Sequence, residues 1–394
     1  WPDGAPITSE SARGSLARAI AALKGTALAL DLAGLDEIRV MAGRVIEIRL
    51  SRPMPNLLQL LAQPELGMAW NGKGSGPMRM TRAGAVAVLK PIAPQDRGLP
   101  RMEGWNDRVR TLRLRALPAA KAVAAFNNGE ADVLLGGTIV DFPLASSLGI
   151  SRGAIQLDPV LGLFGLIVVR PGEFLASPEN REALAMAIDR GALISEFGVA
   201  GWVPSARIVS PGVEADLGSP VERWSGVALA DLRAQASARV ARWRAHKGHA
   251  PLLRLSLPDG PGSDILFDRL RGDFYAIGVD LRRVGSSGDT DLRLVDVVAR
   301  YPRPRWFLNQ LSCTARRGLC SVAADQRVAE AEDAPDATAR AQIVAEAELE
   351  LTRANVFIPF GPPIRWSLVR GSVTGFATNR WGLHPLMPMA MRPR

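Results

Sequence analysis

The chain has 394 residues, 47% of them hydrophobic, and carries a formal net charge of +9. This length exceeds what one ordinary hydrophobic core accommodates, so two or three lobes are expected. The longest apolar run, from Val160 to Val169, is too short to cross a bilayer and contains two glycines, which argues against a membrane-spanning protein.

Most of the positive charge is arginine, and it is distributed along the whole sequence. A nucleic-acid-binding protein more often concentrates its cations on one element or tail, so no nucleic-acid partner is expected. We attribute the charge to a generally basic surface. An anionic ligand and a membrane-proximal partner are the alternatives.

In chain order, the N-terminal half predicts short helices and strands in alternation. The expected elements are a helix capped by Thr8 or Ser9, a hairpin over 38–50, a helix over 56–61, a strand over 110–117, a helix over 118–128, a strand over 132–135 and a helix over 177–194. The helix over 118–128 lies between two strands, which predicts a β-α-β unit.

The C-terminal half continues this pattern. The expected elements are a basic amphipathic helix over 229–246, a strand over 252–257, a helix over 263–276, strands over 279–284 and 291–298, Ala-rich helices over 322–332 and 337–351, and a strand-and-turn tail over 356–386. The basic helix could lie on a membrane surface, but packing on a sheet with its arginines in water is the interpretation adopted. Repeated β-α-β units predict an α/β protein with mixed sheets.

The glycine-rich turn NGKGSGP at 71–77 fits no catalytic motif. In a phosphate-binding loop Ser or Thr follows the Lys and a helix begins there, but here Gly74 follows Lys73 and an apparent strand comes next. A nucleophile elbow requires Gly two residues before Ser75, where Lys73 stands. The three histidines supply no plausible general base or zinc site. We therefore expect no enzyme, no cofactor and no bound metal.

Two cysteines, Cys313 and Cys320, lie close together in a polar segment, and the chain has no others. Such a pair fits a local disulfide in an oxidising compartment. Two free thiols in a cytosolic protein are the alternative.

Several segments resemble, in the same order, the motifs of one receptor family. The opening WPDGAPITSES resembles the motif aromatic-x-Asp-Gly-x-Pro-hydrophobic-Thr-x-Glu-Asp, with Ser11 where Asp is usual. Further resembling segments lie at 53–64, 74–80, 119–133, 177–190, 358–360 and 373–376. The family is that of the family 5 extracellular solute-binding proteins, the dipeptide, oligopeptide and nickel receptors of ABC importers. Their opening motif normally follows a substantial stretch, so a missing N-terminal segment is expected.

The resemblance implies an α/β, two-lobed periplasmic-binding-protein type II fold with mixed sheets and a hinge-bounded cleft. We expect residues 1–73 to form a small subdomain of the first lobe, residues 74–165 and 357–394 the rest of this larger lobe, and residues 166–356 the second lobe. The hinge crossings are expected near 163–169 and 356–364.

The resemblance also implies a cellular location and a partner. It implies a periplasmic protein, or one lipid-anchored at the outer face of the cytoplasmic membrane, that acts as a monomer with an ABC permease in the inner membrane. Cys313 and Cys320 fall near the position of a loop disulfide in the dipeptide receptor. This favours the disulfide between them.

Peptide receptors of the family hold the ligand's amine with an Asp in the motif Trp-x-x-Asp-x-x-Asp-Pro-x-x-Phe-Leu. The corresponding segment here is VVARYPRPRWFL at 297–308, so Arg300 and Arg303 replace the two Asp residues. Arginine cannot hold an ammonium group but suits carboxylate or phosphate. The hypothesis is an anionic solute that these arginines bind. The alternative is that they pair with acidic side chains such as Asp296 and leave the cleft.

Phe164, Trp202 and Trp306 are candidate apolar walls of the cleft, although large aromatic residues are equally typical of an ordinary core. The function expected is that of a receptor that captures a peptide-like or anionic solute between two lobes and delivers it to the permease. The alternatives are the solute-sensing module of a transcription regulator and an enzyme or chaperone on the same scaffold.

Overall fold

The structure is a computed structural model that describes residues 1, 4–70, 72–147, 152–217, 222–285 and 288–393. Two of the sequence motifs lie partly outside these residues. Pro2 and Asp3 of the opening motif, and Asn71 of the glycine-rich turn, are not among the described residues.

The first part of the chain forms helices and small antiparallel sheets. These elements are α1 (Ser9–Ala22), α2 (Ala27–Asp31), β1 (Leu35–Ala42), β2 (Val45–Leu50), α3 (Leu57–Leu61), β3 (Ala69–Trp70), β4 (Lys73–Gly74), β5 (Met78–Ala83), β6 (Val86–Pro91), α4 (Trp105–Arg108) and β7 (Leu112–Arg115). Helix α1 begins where Thr8 and Ser11 form a capping box, in which each hydroxyl accepts from the other residue's N–H at 3.0 and 3.2 Å. The expected hairpin is present as the β1–β2 pair.

The middle of the chain contributes strands to two further sheets. Its elements are α5 (Ala119–Asn127), β8 (Val133–Thr138), α6 (Phe142–Ser147), β9 (Ile155–Leu157), β10 (Gly162–Val168), α7 (Pro178–Ala187) and α8 (Arg190–Ser195). The single helix expected over 177–194 is therefore two helices. Asp189 explains the break, because its carboxylate accepts from the N–H of Ala192 at 2.9 Å and caps α8.

The remainder completes the sheets and covers them with helices. Its elements are α9 (Leu229–Lys247), β11 (Leu252–Ser256), α10 (Pro261–Tyr275), β12 (Asp280–Val284), β13 (Leu292–Val298), α11 (Pro304–Gln310), α12 (Val322–Glu330), α13 (Ala337–Ala354), β14 (Phe357–Gly361), β15 (Arg365–Val369) and α14 (Leu386–Met389). Helix α9 packs along α7, and buried Leu232, Ala236 and Val240 form its inner side. The apolar side of this basic helix is therefore buried against the protein, with α7 as its main contacting element.

Two sheets form the centre of the fold, one mixed and the other antiparallel in its described pairings. A five-stranded sheet has the order β12-β11-β13-β10-β14, and a three-stranded sheet has the order β8-β15-β9. Strands β11 and β12 are parallel neighbours joined by α10, as the sequence predicted. The other predicted β-α-β unit is wrong, because β7 pairs with β6 whereas β8 pairs with β15. Local periodicity predicted β7 and β8 as strands, but only tertiary pairing assigned each of them to its sheet.

The strand pairings also bear on the lobe boundaries. Strand β10 lies wholly in the five-stranded sheet, with β13 on one side and β14 on the other. Gly165 allows β14 to approach, because a Cβ there would lie 2.2 Å from the carbonyl oxygen of Ile358. We therefore propose that the lobes are built around these two sheets and that the chain crosses between them at 158–161 and 362–364. The first crossing then lies before the expected 163–169, because those residues belong to β10.

Candidate ligand-binding site

A cavity of about 860 Å³ lies between the N-terminal helices, the end of β13 and the C-terminal tail. We call it the cleft cavity. Its lining residues are Leu23, Thr26, Ala27, Leu28, Asp31, Leu58, Gln59, Ala62, Gln63, Glu65, Asp296, Val297, Val298, Ala299, Arg300, Trp306, Gln310, Arg317, Arg365, Trp381, Gly382 and Leu383. Strand β13 belongs to the five-stranded sheet and Arg365 begins β15 in the three-stranded sheet, so the cavity lies where the two sheets meet. Its size is that of a small-molecule site.

An ion pair between the two sheets forms part of the cavity wall. The Arg365 Nη1 lies 2.7 Å from the Asp296 Oδ1, and its Nη2 donates to the Asp296 carbonyl at 3.1 Å. Both side chains are at most 15% exposed. Burial raises the pKa of Asp296, and Arg365 opposes this rise by favouring the carboxylate. Neither charge is available to a ligand unless this pair opens.

Arg300 lies on the cavity wall, but a carboxylate from another segment holds it. Its Nη2 is 2.8 Å from the Glu65 Oε1, and its Nη1 donates to the Gln63 Oε1 at 3.1 Å. The side chains of the ion pair are 35% and 38% exposed. Such exposed pairs contribute only about 0–1 kcal/mol, so a ligand can displace Glu65 at small cost.

Arg317 is the third arginine of the cavity wall. Its Nη2 donates to the Gln310 Oε1 at 2.7 Å, and no salt bridge joins it to a carboxylate in the described part of the chain. Burial, followed by the nearby charge of Arg293, lowers its pKa. A guanidinium that has lost water without gaining a counter-charge favours an anion at this position.

The segment that carries Arg317 is fixed at several points. The Cys313–Cys320 disulfide is present and closes the loop, as expected. The Leu319 N–H donates to the Val168 carbonyl oxygen at 2.6 Å. A Cβ on Gly318 would lie 2.4 Å from that same oxygen, so the loop approaches β10 as only glycine allows. This loop therefore presents Arg317 to the cavity from a rigid support.

The inner end of the cavity carries a buried carboxyl group. Asp31, at the end of α2, is 4% exposed, and its Oδ1 accepts from the Tyr301 hydroxyl at 2.8 Å and from the Asn309 amide at 2.6 Å. Burial raises its pKa to about 6, although these hydrogen bonds and Arg305 lower it. Trp306, also on the lining, is buried, and its indole N–H has no hydrogen-bond partner among the described residues.

The structure separates the five site residues that the sequence predicted. Arg300 and Trp306 line the cleft cavity. Arg303 lies instead in a second cavity of about 340 Å³, where its Nη2 is 2.9 Å from the Glu214 Oε1. Phe164 and Trp202 are buried against each other, with ring centroids 5.7 Å apart, and do not line the cleft cavity. Large size and an apolar surface suited them to the core.

Sequence reasoning missed most of the polar groups of the cavity. Glu65, Arg317 and Arg365 come from three distant segments. The suspected pairing of Arg300 or Arg303 with Asp296 is not the one found, since Asp296 pairs with Arg365. The position of Arg317 inside the Cys313–Cys320 loop was the one local signal that could have drawn attention to it.

The family follows from a direct comparison. The family model of the bacterial extracellular solute-binding proteins, family 5 Middle, matches residues 1–317. The chain belongs to this family. The family 5 resemblance, the two-lobed α/β fold and the role of a solute-binding receptor in ABC import are thereby confirmed. No comparison favours a transcription regulator, and no curated protein sequence matches the chain.

Solved structures of family 5 proteins share this fold. The Escherichia coli murein tripeptide binding protein MppA has a TM-score of 0.83 at 18% identity, covering 99% of this chain and 84% of its own. Haemophilus influenzae OppA, in complex with RPPGFSPFR, has a TM-score of 0.80 at 15% identity, covering 99% and 85%. Brucella suis NikA, in complex with Fe(III)-EDTA, has a TM-score of 0.74 at 15% identity, covering 100% and 86%.

The described residues hold neither a candidate metal centre nor a membrane-spanning helix. They contain no group of three or more His, Cys, Asp or Glu that could hold a metal ion. Within the same ranges, no helix is long and apolar enough to cross a bilayer. Family 5 is a family of extracellular binding proteins, which agrees with a disulfide in an oxidising compartment.

Proposed function

We propose that the protein captures a small peptide-like solute bearing a carboxylate in the cleft cavity. Arg317 carries this proposal, because it is a cavity-lining guanidinium with no carboxylate partner among the described residues. Arg300 is a second counter-charge once the solute displaces Glu65. Trp306 supplies apolar surface at the cavity wall. MppA is named for a murein tripeptide, OppA is in complex with the peptide RPPGFSPFR and NikA is in complex with Fe(III)-EDTA. A small carboxylate-bearing solute is consistent with these relatives.

The solute would be held between two lobes that close on it. The lobes meet at the cleft cavity and are joined by the crossings at 158–161 and 362–364. Closure links ligand affinity to the free energy of bending these crossings. We propose that the closed form, as a monomer in the periplasm or anchored at the outer face of the cytoplasmic membrane, delivers the solute to an ABC permease. No catalytic step is part of this role.

Calorimetric titration with three related peptides tests the assignment. The probes are free tri-alanine, its C-terminal amide and its N-acetyl form. If a carboxylate is the recognised group, amidation abolishes binding and acetylation is tolerated. Retained binding of the amide together with loss of the acetyl form would contradict the proposal and indicate recognition of an amine.

Two neighbouring arginines provide a matched pair of variants. Arg317→Gln is expected to weaken binding by about tenfold to a hundredfold, the effect of a lost charge-assisted hydrogen bond. Arg316→Gln, in the same loop but exposed and absent from the cavity lining, should bind as the wild type does. Arg300→Ala is expected to have a smaller effect, because Glu65 competes for Arg300. Equal affinities of wild type and Arg317→Gln would refute the role of Arg317.

A further inference from the structure

A stretch of chain outside the five-stranded and the β8-β15-β9 sheets carries much of the protein's net positive charge. Residues 78–117, all of them described, contain nine Arg or Lys and three Asp or Glu. This stretch therefore contributes +6 to the net charge of +9. It contains the antiparallel sheet β5-β6-β7, whose strands carry five of the nine cations, Arg79, Arg82, Lys90, Arg113 and Arg115. The charge is more localised than its even spread along the sequence indicated.

The strand register places four of these cations on one face. Arg79 on β5 lies directly opposite Lys90 on β6, and Arg113 and Arg115 lie opposite Val88 and Val86. Side chains alternate between the two faces of a strand, so these positions share the face opposite to buried Ala87 and Leu89. All four cations are exposed. We call this surface the basic face.

The basic face lacks counter-charges of its own. None of its four cations forms a salt bridge within the described ranges, and Arg115 donates only to the Glu130 backbone carbonyl, at 3.4 Å. Like charges directly opposite each other in a sheet are destabilising, as for Arg79 and Lys90. Charges at sheet edges also prevent aggregation, but Lys90 lies on the central strand, where that protection is not required. These unpaired cations lower the stability of the sheet and favour the binding of an anion from outside the protein.

We propose that the basic face docks the protein on an anionic lipid bilayer. The face spans about 10 Å across its three strands, and its four cations project from the same side of the sheet, as contact with a layer of charged headgroups requires. It has no aromatic side chain, and only Val86, Val88, Thr81 and Ala83 accompany the cations. Specific protein interfaces are usually centred on aromatic or other apolar anchors, so an acidic protein partner is less favoured. The proposal does not depend on the solute.

Vesicle co-sedimentation of the full chain tests this docking. The probe vesicles contain phosphatidylcholine and phosphatidylglycerol in equal parts, and pure phosphatidylcholine vesicles are the reference. We expect binding only to the anionic vesicles and weaker binding as salt is raised, because exposed charges are screened. Absence of binding to the anionic vesicles at low salt would overturn the proposal, even if the protein bound an acidic protein partner.

The decisive variant replaces Arg79, Lys90, Arg113 and Arg115 together by Gln. Each cation near an anionic surface contributes about fivefold to partition, so a loss of about a hundredfold or more is expected. The matched control replaces four other exposed cations by Gln and removes the same charge from other surfaces. These are Arg44, Arg242, Arg244 and Lys247. An equal loss in the control, or no loss in the first variant, would contradict the assignment.

Folding of the variants is checked by thermal unfolding and by circular dichroism. The fourfold variant should unfold at or above the temperature of the wild type, since it relieves repulsion within the sheet. If it fails to fold, Arg79→Gln/Lys90→Gln tests the same face with an expected loss of about tenfold or more. Wild-type vesicle binding by that double variant would overturn the proposal.

Discussion

The cleft cavity and the basic face use arginine in opposite ways. In the cavity, Arg365 and Arg300 each have a carboxylate within 2.8 Å. On the basic face, Arg79 and Lys90 lie opposite each other with no ion pair in the described structure. A partly buried charge without a partner is costly, whereas water solvates an exposed one. Arg317 departs from this rule within the cavity, and for this reason we propose it as the principal ligand-binding residue.

Loss of the ion pair between the sheets is expected to have the largest effect on the stability of the protein. Asp296→Ala leaves Arg365 without its carboxylate in a mostly buried position, so we expect stability to fall by about 3–5 kcal/mol. Urea unfolding of the two proteins measures this difference. The control is Asp289→Ala, which removes a carboxylate that is 72% exposed and paired with Arg170, and it should have little effect. Similar losses in both variants would remove the contrast between buried and exposed pairs.

A second prediction concerns pH and the carboxyl group of Asp31. Its pKa is about 6 in the folded protein and near 3.8 when unfolded, so the folded state binds the proton more tightly. Stability from this group is therefore present below about pH 4 and is lost as the pH rises through 6. The difference between the two pKa values of Asp31 corresponds to about 2–3 kcal/mol of folding free energy.

Asp31→Asn removes this titration while keeping an oxygen for the Tyr301 and Asn309 hydrogen bonds. The stability of the variant relative to the wild type should rise between about pH 4 and pH 6 and then level off. Chemical unfolding at several pH values measures the difference. A difference that does not change with pH would show that Asp31 does not titrate in this window.

The smallest expected effect lies on the basic face. Lys90→Gln removes the repulsion with Arg79, so stability should rise by about 0.5 kcal/mol at low salt. The rise should vanish at high salt, where the repulsion is screened. Arg82→Gln is the control, because Arg82 lies opposite Ala87 and relieves no like-charge pair. A destabilised Lys90→Gln would indicate a local partner for Lys90.

The motifs predicted the family because they record local requirements such as caps, turns and helix starts. The Thr8 cap and the β11-α10-β12 unit are decided by neighbouring residues and hydrophobic period, and both are present. The disulfide between Cys313 and Cys320 was also predictable, since it joins cysteines seven residues apart. The break between α7 and α8 was missed although its signal is local, since Asp189 caps α8 through the N–H of Ala192 three residues on.

The sequence by itself determined the fold class, most strands and helices and the receptor family. It also identified Arg300 as a candidate residue of the cleft. Only the tertiary structure decided which charges meet. Glu65 lies 235 residues from Arg300, and Asp296 lies 69 residues from Arg365, so no local pattern connects them. The cations of the basic face lie in one stretch of the sequence, 78–117, but they share a surface only through strand register. Charge pairing depends on distances of a few ångströms, and tertiary packing alone fixes these distances.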